Sequence, residues 1–77
     1  MQLNEQLNQF WARYASEGQS LSITTDLLGG GVYKATITTF QITVTAHSDR
    51  IENVSEYNNC ENQAISRALD LILTFPT

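Results

Sequence analysis

Few side chains in this sequence are able to do chemistry. His47, Ser48 and Asp49 stand in consecutive positions, and Cys60 is the single thiol. A hydrolase needs a base within hydrogen-bond reach of a nucleophile, and geometry rather than adjacency decides whether that exists. His47 continues the polar phase of Thr43 and Thr45, so it reads as a solvated surface histidine. Hydrolysis by His47 with Asp49 or Cys60 is therefore the weakest functional reading. Cys60 opens the last helix, where the dipole can lower a thiol pKa. No basic residue lies near it in sequence, so an inert packed thiol is the expectation. Glu52, Glu56 and Glu61 lack companion ligands at metal-loop spacing and read as a solvated face. The sequence thus offers no catalytic residue, no metal site and no cofactor.

Binding is the alternative to catalysis. Ser22, Thr24 and Asp26 form one polar strand face, and Gln41, Thr43, Thr45 and His47 form another. Such a face can be wet, can dock a subunit, or can line a polar pocket between subunits. Lys34, Arg50 and Arg67 are the cations available to recognise a small anion. The candidate ligand-binding set is therefore Lys34, Arg50, Arg67, Thr43 and Thr45.

The charge balance limits the partners. Four cations stand against eight carboxylates, a formal net charge of -4 at pH 7. Phosphate-backbone recognition needs a dense basic surface, which argues against nucleic acid. No apolar run approaches the roughly 18 residues of a membrane span. The first residues carry neither a basic region nor a continuous apolar stretch, so no export signal is expected and the expected location is cytoplasmic. One cysteine makes no internal disulfide. A 77-residue chain buries only roughly 60% of the surface its unfolded form exposes. Subunit contact would add buried area, so a homo-oligomer is expected.

The elements that must position these residues follow from periodicity. Leu3, Leu7, Phe10, Trp11 and Tyr14 fall on one helical stripe, with Gln6 and Arg13 on the remaining faces. Gly18 is placed to cap this helix. Leu21, Ile23, Thr25 and Leu27 alternate with polar residues as a half-buried strand. Gly29, Gly30 and Gly31 then fit a hairpin loop. In residues 32–47, Tyr33, Ala35 and Ile37 share one phase, while Phe40, Ile42, Val44 and Ala46 share the other. The switch near Thr38 and Thr39 means a bulge or a turn, and two strands are the better reading. Residues 48–59 hold either a fourth strand at 51–56 or an irregular connection. Asn58 or Asn59 is expected to cap the last helix, with Glu61 completing a capping box. Ala64, Ile65, Ala68, Leu69, Leu71, Ile72 and Leu73 give that helix a broad apolar arc, and Pro76 ends it. The fold expected is one α+β domain over residues 1–77, an antiparallel sheet of three or four strands in the order α-β-β-β-α. Both helices are expected on one sheet face.

Two short motifs carry a resemblance. Tyr33-Lys34-Ala35 and Ala64-Ile65-Ser66-Arg67-Ala68-Leu69, with the order of elements, resemble the small phage and prophage proteins grouped as phage ABA sandwich domains. That resemblance implies a phage or prophage origin and brings no catalytic residues. The helix–three strands–helix layout also resembles double-stranded-RNA-binding domains. Those carry basic residues at the start of the final helix, where this chain has Asn58-Asn59-Cys60-Glu61-Asn62, which argues against RNA. The expected function is that of a non-enzymatic phage accessory protein that binds, and thereby inhibits, a host defence protein. The alternative is an oligomer that sequesters a small anionic nucleotide.

Overall fold

The computed structural model of the chain describes residues 2–15 and 20–75. Helix α1 spans Leu3–Tyr14, strands β1, β2 and β3 span Ser22–Leu28, Val32–Thr38 and Thr43–His47, and helix α2 spans Tyr57–Thr74. The expected α-β-β-β-α order and α+β class are observed. The strands form one antiparallel sheet in the order β1-β2-β3. The expected caps at Gly18 and Pro76 lie outside the described residues.

Helix α2 covers one face of the sheet and lies mainly over β2 and β3. The α1 backbone comes close to α2 and to no strand, while its Phe10 and Tyr14 side chains join Ala35, Ile37 and Val44 of the sheet in one core. The two helices run in the same direction. Gln6 meets Ser66 and Asp70, and one to two turns later Arg13 and Tyr14 meet Leu73 and Ile72. Ala35, Ile37, Ala64, Ala68, Leu69 and Ile72 are fully buried and form the centre of the core with Phe10, Tyr14 and Val44.

The stripe on α1 differs from expectation at two positions. Trp11 is 67% exposed, whereas Gln6 is 1% exposed. A buried amide must find partners, and Gln6 does. Its Nε2 donates to the Ser66 carbonyl at 3.1 Å and to Asp70 Oδ1 at 2.5 Å, and Ser66 Oγ donates to its Oε1 at 2.7 Å. Arg13, read as a solvated residue, also turns to α2. Its Nη1 donates to the Leu73 carbonyl at 2.7 Å and its Nη2 to the Phe75 carbonyl. These are carbonyls at the end of α2, where a cation offsets both unpaired acceptors and the negative end of the dipole.

The first hairpin forms at the glycine run and the second where the sequence changes phase. Gly30 and Gly31 take φ of 99° and 81°, the left-handed region that glycine enters without cost. The second turn is made by Thr39, whose Oγ1 accepts from the Gln41 and Ile42 amides at 3.1 and 3.0 Å. A hydroxyl that folds back onto the main chain substitutes for a glycine turn. Phe40, expected in the strand phase of Val44, lies in this turn and is exposed.

Residues 51–56 hold no strand. The sheet has three strands, and a 3-10 turn at Val54–Glu56 leads directly into α2. The side-chain cap sits on this 3-10 turn, at Asn53, and the N-cap of α2 itself, Glu56, makes no capping hydrogen bond. Asn53 Oδ1 accepts from the Ser55 amide at 3.0 Å, and Glu56 Oε2 accepts from the Glu52 amide at 3.0 Å. Asn53 and Glu56 repeat the spacing of Asn58 and Glu61, so a local rule cannot choose between them. Glu61 instead accepts from Thr25 Oγ1 at 2.6 Å, joining α2 to β1. Loss of a side-chain cap costs roughly 1 kcal/mol. Asn53→Ala should therefore lower unfolding stability by about 1 kcal/mol, and Asn58→Ala by less than about 0.5 kcal/mol. Urea denaturation of both variants checks this.

Candidate functional site

Alternation along the strands sorts their side chains onto two faces. Ile23, Thr25, Tyr33, Ala35, Ile37, Val44 and Ala46 point toward the helix layer. The opposite face is a grid fixed by the register. Ser22, Thr38 and Thr43 form one row, Thr24, Thr36 and Thr45 the next, and Asp26, Lys34 and His47 a third. Every residue of the grid is exposed or half-buried. Thr43 Oγ1 lies 3.5 Å from Thr38 Oγ1 across the second hairpin. An antiparallel sheet tolerates one wet face. This one is a panel of hydroxyls crossed by one row holding an acid, an amine and an imidazole, with Leu28 beside Val32 as an apolar row at the first hairpin.

The five sequence candidates divide. Lys34, Thr43 and Thr45 share the grid. Arg67 stands on α2, where its Nη1 donates to the His47 carbonyl and its Nη2 to Asp49 Oδ1, both at 3.0 Å. Arg50 is exposed in the connection after β3, beside Gly31 of the first hairpin. The three cations thus stand on three different segments, β2, α2 and the connection after β3.

The triad-like run is pulled apart by the strand. His47 is exposed on the grid face, whereas Ser48 is buried on the other. Ser48 Oγ accepts from the Tyr33 amide at 3.0 Å and donates to the Asp49 carbonyl at 2.7 Å. Cys60 is buried. Among the described residues no three His, Cys, Asp or Glu side chains come together as metal ligands, and no enclosed cavity is present.

Asp49 is the anchor that sequence reasoning missed. Gln63 holds it twice: Gln63 Oε1 accepts from the Asp49 amide at 2.8 Å, and Gln63 Nε2 donates to Asp49 Oδ2 at 3.1 Å. Arg67 takes the other carboxylate oxygen. Gln63 and Arg67 are four residues apart on α2, a spacing that puts them on one face. That spacing was the available signal. Comparison of the chain with family models, curated proteins and solved structures finds no match.

The hydrogen bond from Arg67, then that from Gln63 and the charge of Arg67, hold the Asp49 carboxyl below its ordinary pKa. The folded state therefore binds this proton less readily than the unfolded state. The resulting stabilisation is complete above the unfolded aspartate value, about 3.9, and is lost as pH falls through the lower folded value. Asp49→Asn should be less stable than the parent near neutral pH, and the gap should close on acidification. Denaturant midpoints measured across that pH range check both the sign and the closure.

Proposed function

We propose that this protein acts by binding rather than catalysis, using the outer face of its sheet to dock on another protein. The observation that carries the reading is the grid itself. Hydroxyls of Ser22, Thr24, Thr36, Thr38, Thr43 and Thr45 stand in register beside the Asp26, Lys34 and His47 row. Short hydroxyl side chains lose little rotamer entropy on docking, and both hydrogen-bond donors and acceptors are displayed together. A mixed-charge row gives orientation more than affinity, as charges at an interface rim do.

The resemblance to phage ABA sandwich domains supplies the setting. In that reading the chain is a phage or prophage accessory protein, its partner is a host protein, and binding inhibits a defence function. The acidic balance favours a partner with a basic surface. Self-association belongs to the same proposal, since a small core gains stability from subunit contact.

A second reading has one observation in its favour, that Lys34, Thr43 and Thr45 share a face. An oligomer could set Arg50 of one copy beside that face in another and so hold a small anionic nucleotide. Arg67 is engaged with Asp49, which weakens this version.

Thr24 and Thr45 are exposed cross-strand neighbours of Thr36, so Thr24→Arg with Thr45→Arg should change the face without unfolding the protein. Native mass spectrometry of the parent isolated from phage-infected cells should show a co-purifying host protein. The double variant should lose it while melting at the parental temperature. Retention of the partner by the variant, or a nucleotide-sized mass in its place, would sink the protein-docking reading. In the nucleotide case, Lys34→Ala with Arg50→Ala should abolish binding in titration calorimetry.

A further inference from the structure

The two edges of the sheet are unequal. At the β3 edge, main-chain groups of Val44 and Ala46 face β2, so those of His47 face outward. Arg67 reaches from α2 and occupies the His47 carbonyl there. The β1 edge has no such guard among the described residues. Edge strands are commonly protected by lysine, proline, a bulge or shortness. β1 has seven residues in unbroken register with β2, and its sequence Ser-Ile-Thr-Thr-Asp-Leu-Leu holds no lysine, proline or bulge, its one charge being Asp26.

Hydrogen-bond direction identifies which groups are free. The Leu28 carbonyl accepts from the Gly31 amide, so Leu28 faces β2. Alternation then turns Asp26, Thr24 and Ser22 the same way. The Ser48 amide donates to the Tyr33 carbonyl, which turns Tyr33, Ala35 and Ile37 toward β3 and confirms the phase. The main-chain groups of Ile23, Thr25 and Leu27 are left pointing off the sheet.

We propose that β1 pairs antiparallel with β1 of a second copy of this chain, about a two-fold axis through Thr25. The strand is self-complementary in that register. Thr25 meets Thr25, Ile23 meets Leu27 and Leu27 meets Ile23, so each outward-facing residue exchanges both main-chain hydrogen bonds with its partner. On the helix side, Leu27, which is 50% exposed in the monomer, packs beside the half-buried Ile23 of the other copy. On the grid side, Asp26, the one charge in β1, lies opposite Thr24 and not opposite itself. A two-fold axis perpendicular to the sheet keeps both grids on one side. It yields a continuous six-stranded sheet with a doubled hydroxyl face. The second copy covers Leu27, the residue on the apolar side of β1 that stays half exposed in the monomer, whereas Ile23 already packs against the core.

The proposal specifies the self-association suggested above and is independent of what the grid binds. A single strand edge is small beside the roughly 1,200–2,000 Å² of a standard interface, so the dimer should dissociate at concentrations on the order of micromolar. Sedimentation equilibrium across a concentration series, with amide hydrogen exchange, tests it. The expected result is a dimer in which the Ile23, Thr25 and Leu27 amides gain protection as concentration rises. Thr25→Pro removes the central donor, which an edge strand tolerates. It should weaken dimerisation by at least about tenfold, or 1.4 kcal/mol. Leu27→Lys adds the missing guard at an exposed site and should do the same without loss of folding. Thr25→Val keeps the amide and should keep the dimer. A dimer unaffected by Thr25→Pro and Leu27→Lys overturns the edge pairing while leaving self-association standing. A parent that stays monomeric at every concentration overturns both. So does a monomer whose edge amides become protected only when a different protein is added.

Discussion

Helix α2 must satisfy two neighbours at once, and the rest of the structure depends on that constraint. The sheet lies on one side of it and α1 on another, while α1 makes no backbone approach to the strands. An element packed from two sides needs a wide apolar arc, and Ala64, Ala68, Leu69 and Ile72 are fully buried. The alanines hold the position differently from the larger residues. A small side chain in a close-packed core lets the helix backbone sit near its neighbour, whereas Leu69, Ile72 and Ile37 supply the apolar area that drives burial. Among the described residues there is one core and no second to compensate.

That dependence explains where the polar links fall. Each connects α2 to something that apolar packing alone would leave free to slide. Gln6 binds Ser66 and Asp70, setting the axial position of α1. Arg13 and Tyr14 reach the carbonyls at the end of α2. Thr25 joins Glu61, and Asp49 is clamped by Gln63 and Arg67. Exposed ion pairs add little net stability, so the clamp acts chiefly by fixing the exit of β3. It holds the connection that carries Arg50 and seals the β3 edge at His47. The outer face of the sheet takes no part in any of these links, which leaves its hydroxyl grid available.

The sequence patterns that proved legible were those set by short-range geometry. Period-two alternation located β1, β2 and the end of β3, because a half-buried sheet forces polarity to alternate. The glycine triplet located the first hairpin because two of its residues need positive φ. Periodicity failed where the deciding partner was distant. Trp11 and Gln6 flank the same stripe, and hydrophobicity alone favours Trp11. Gln6 is drawn inside by Ser66 and Asp70, 60 and 64 residues away. Asn-x-x-Glu occurs at both 53–56 and 58–61, and only the path of the connection selects the first. Of the candidate site, Thr43 and Thr45 were legible as one face because strand alternation places them, and Lys34 joins them only through the register of β2 with β3. Arg67 was not, since its engagement with Asp49 depends on how α2 lies beside β3.

The same reasoning bears on what the outer face can recognise. A monomer displays a grid three strands wide, and sheet twist turns each strand by roughly 20–25° from its neighbour. A narrow twisted panel suits a protruding partner surface poorly, because only its central strand can lie flat against it. Extending the sheet through β1 moves β1 from the edge toward the middle, where pairing on both sides restrains its twist. The Thr24 and Asp26 positions then become central, and each copy's Thr24-Thr36-Thr45 row runs on into the other copy's Asp26-Lys34-His47 row. Edge and face are therefore not independent features of this sequence. β1, an edge strand without lysine, proline or a bulge, is also the strand that doubles the recognition surface when that edge is paired.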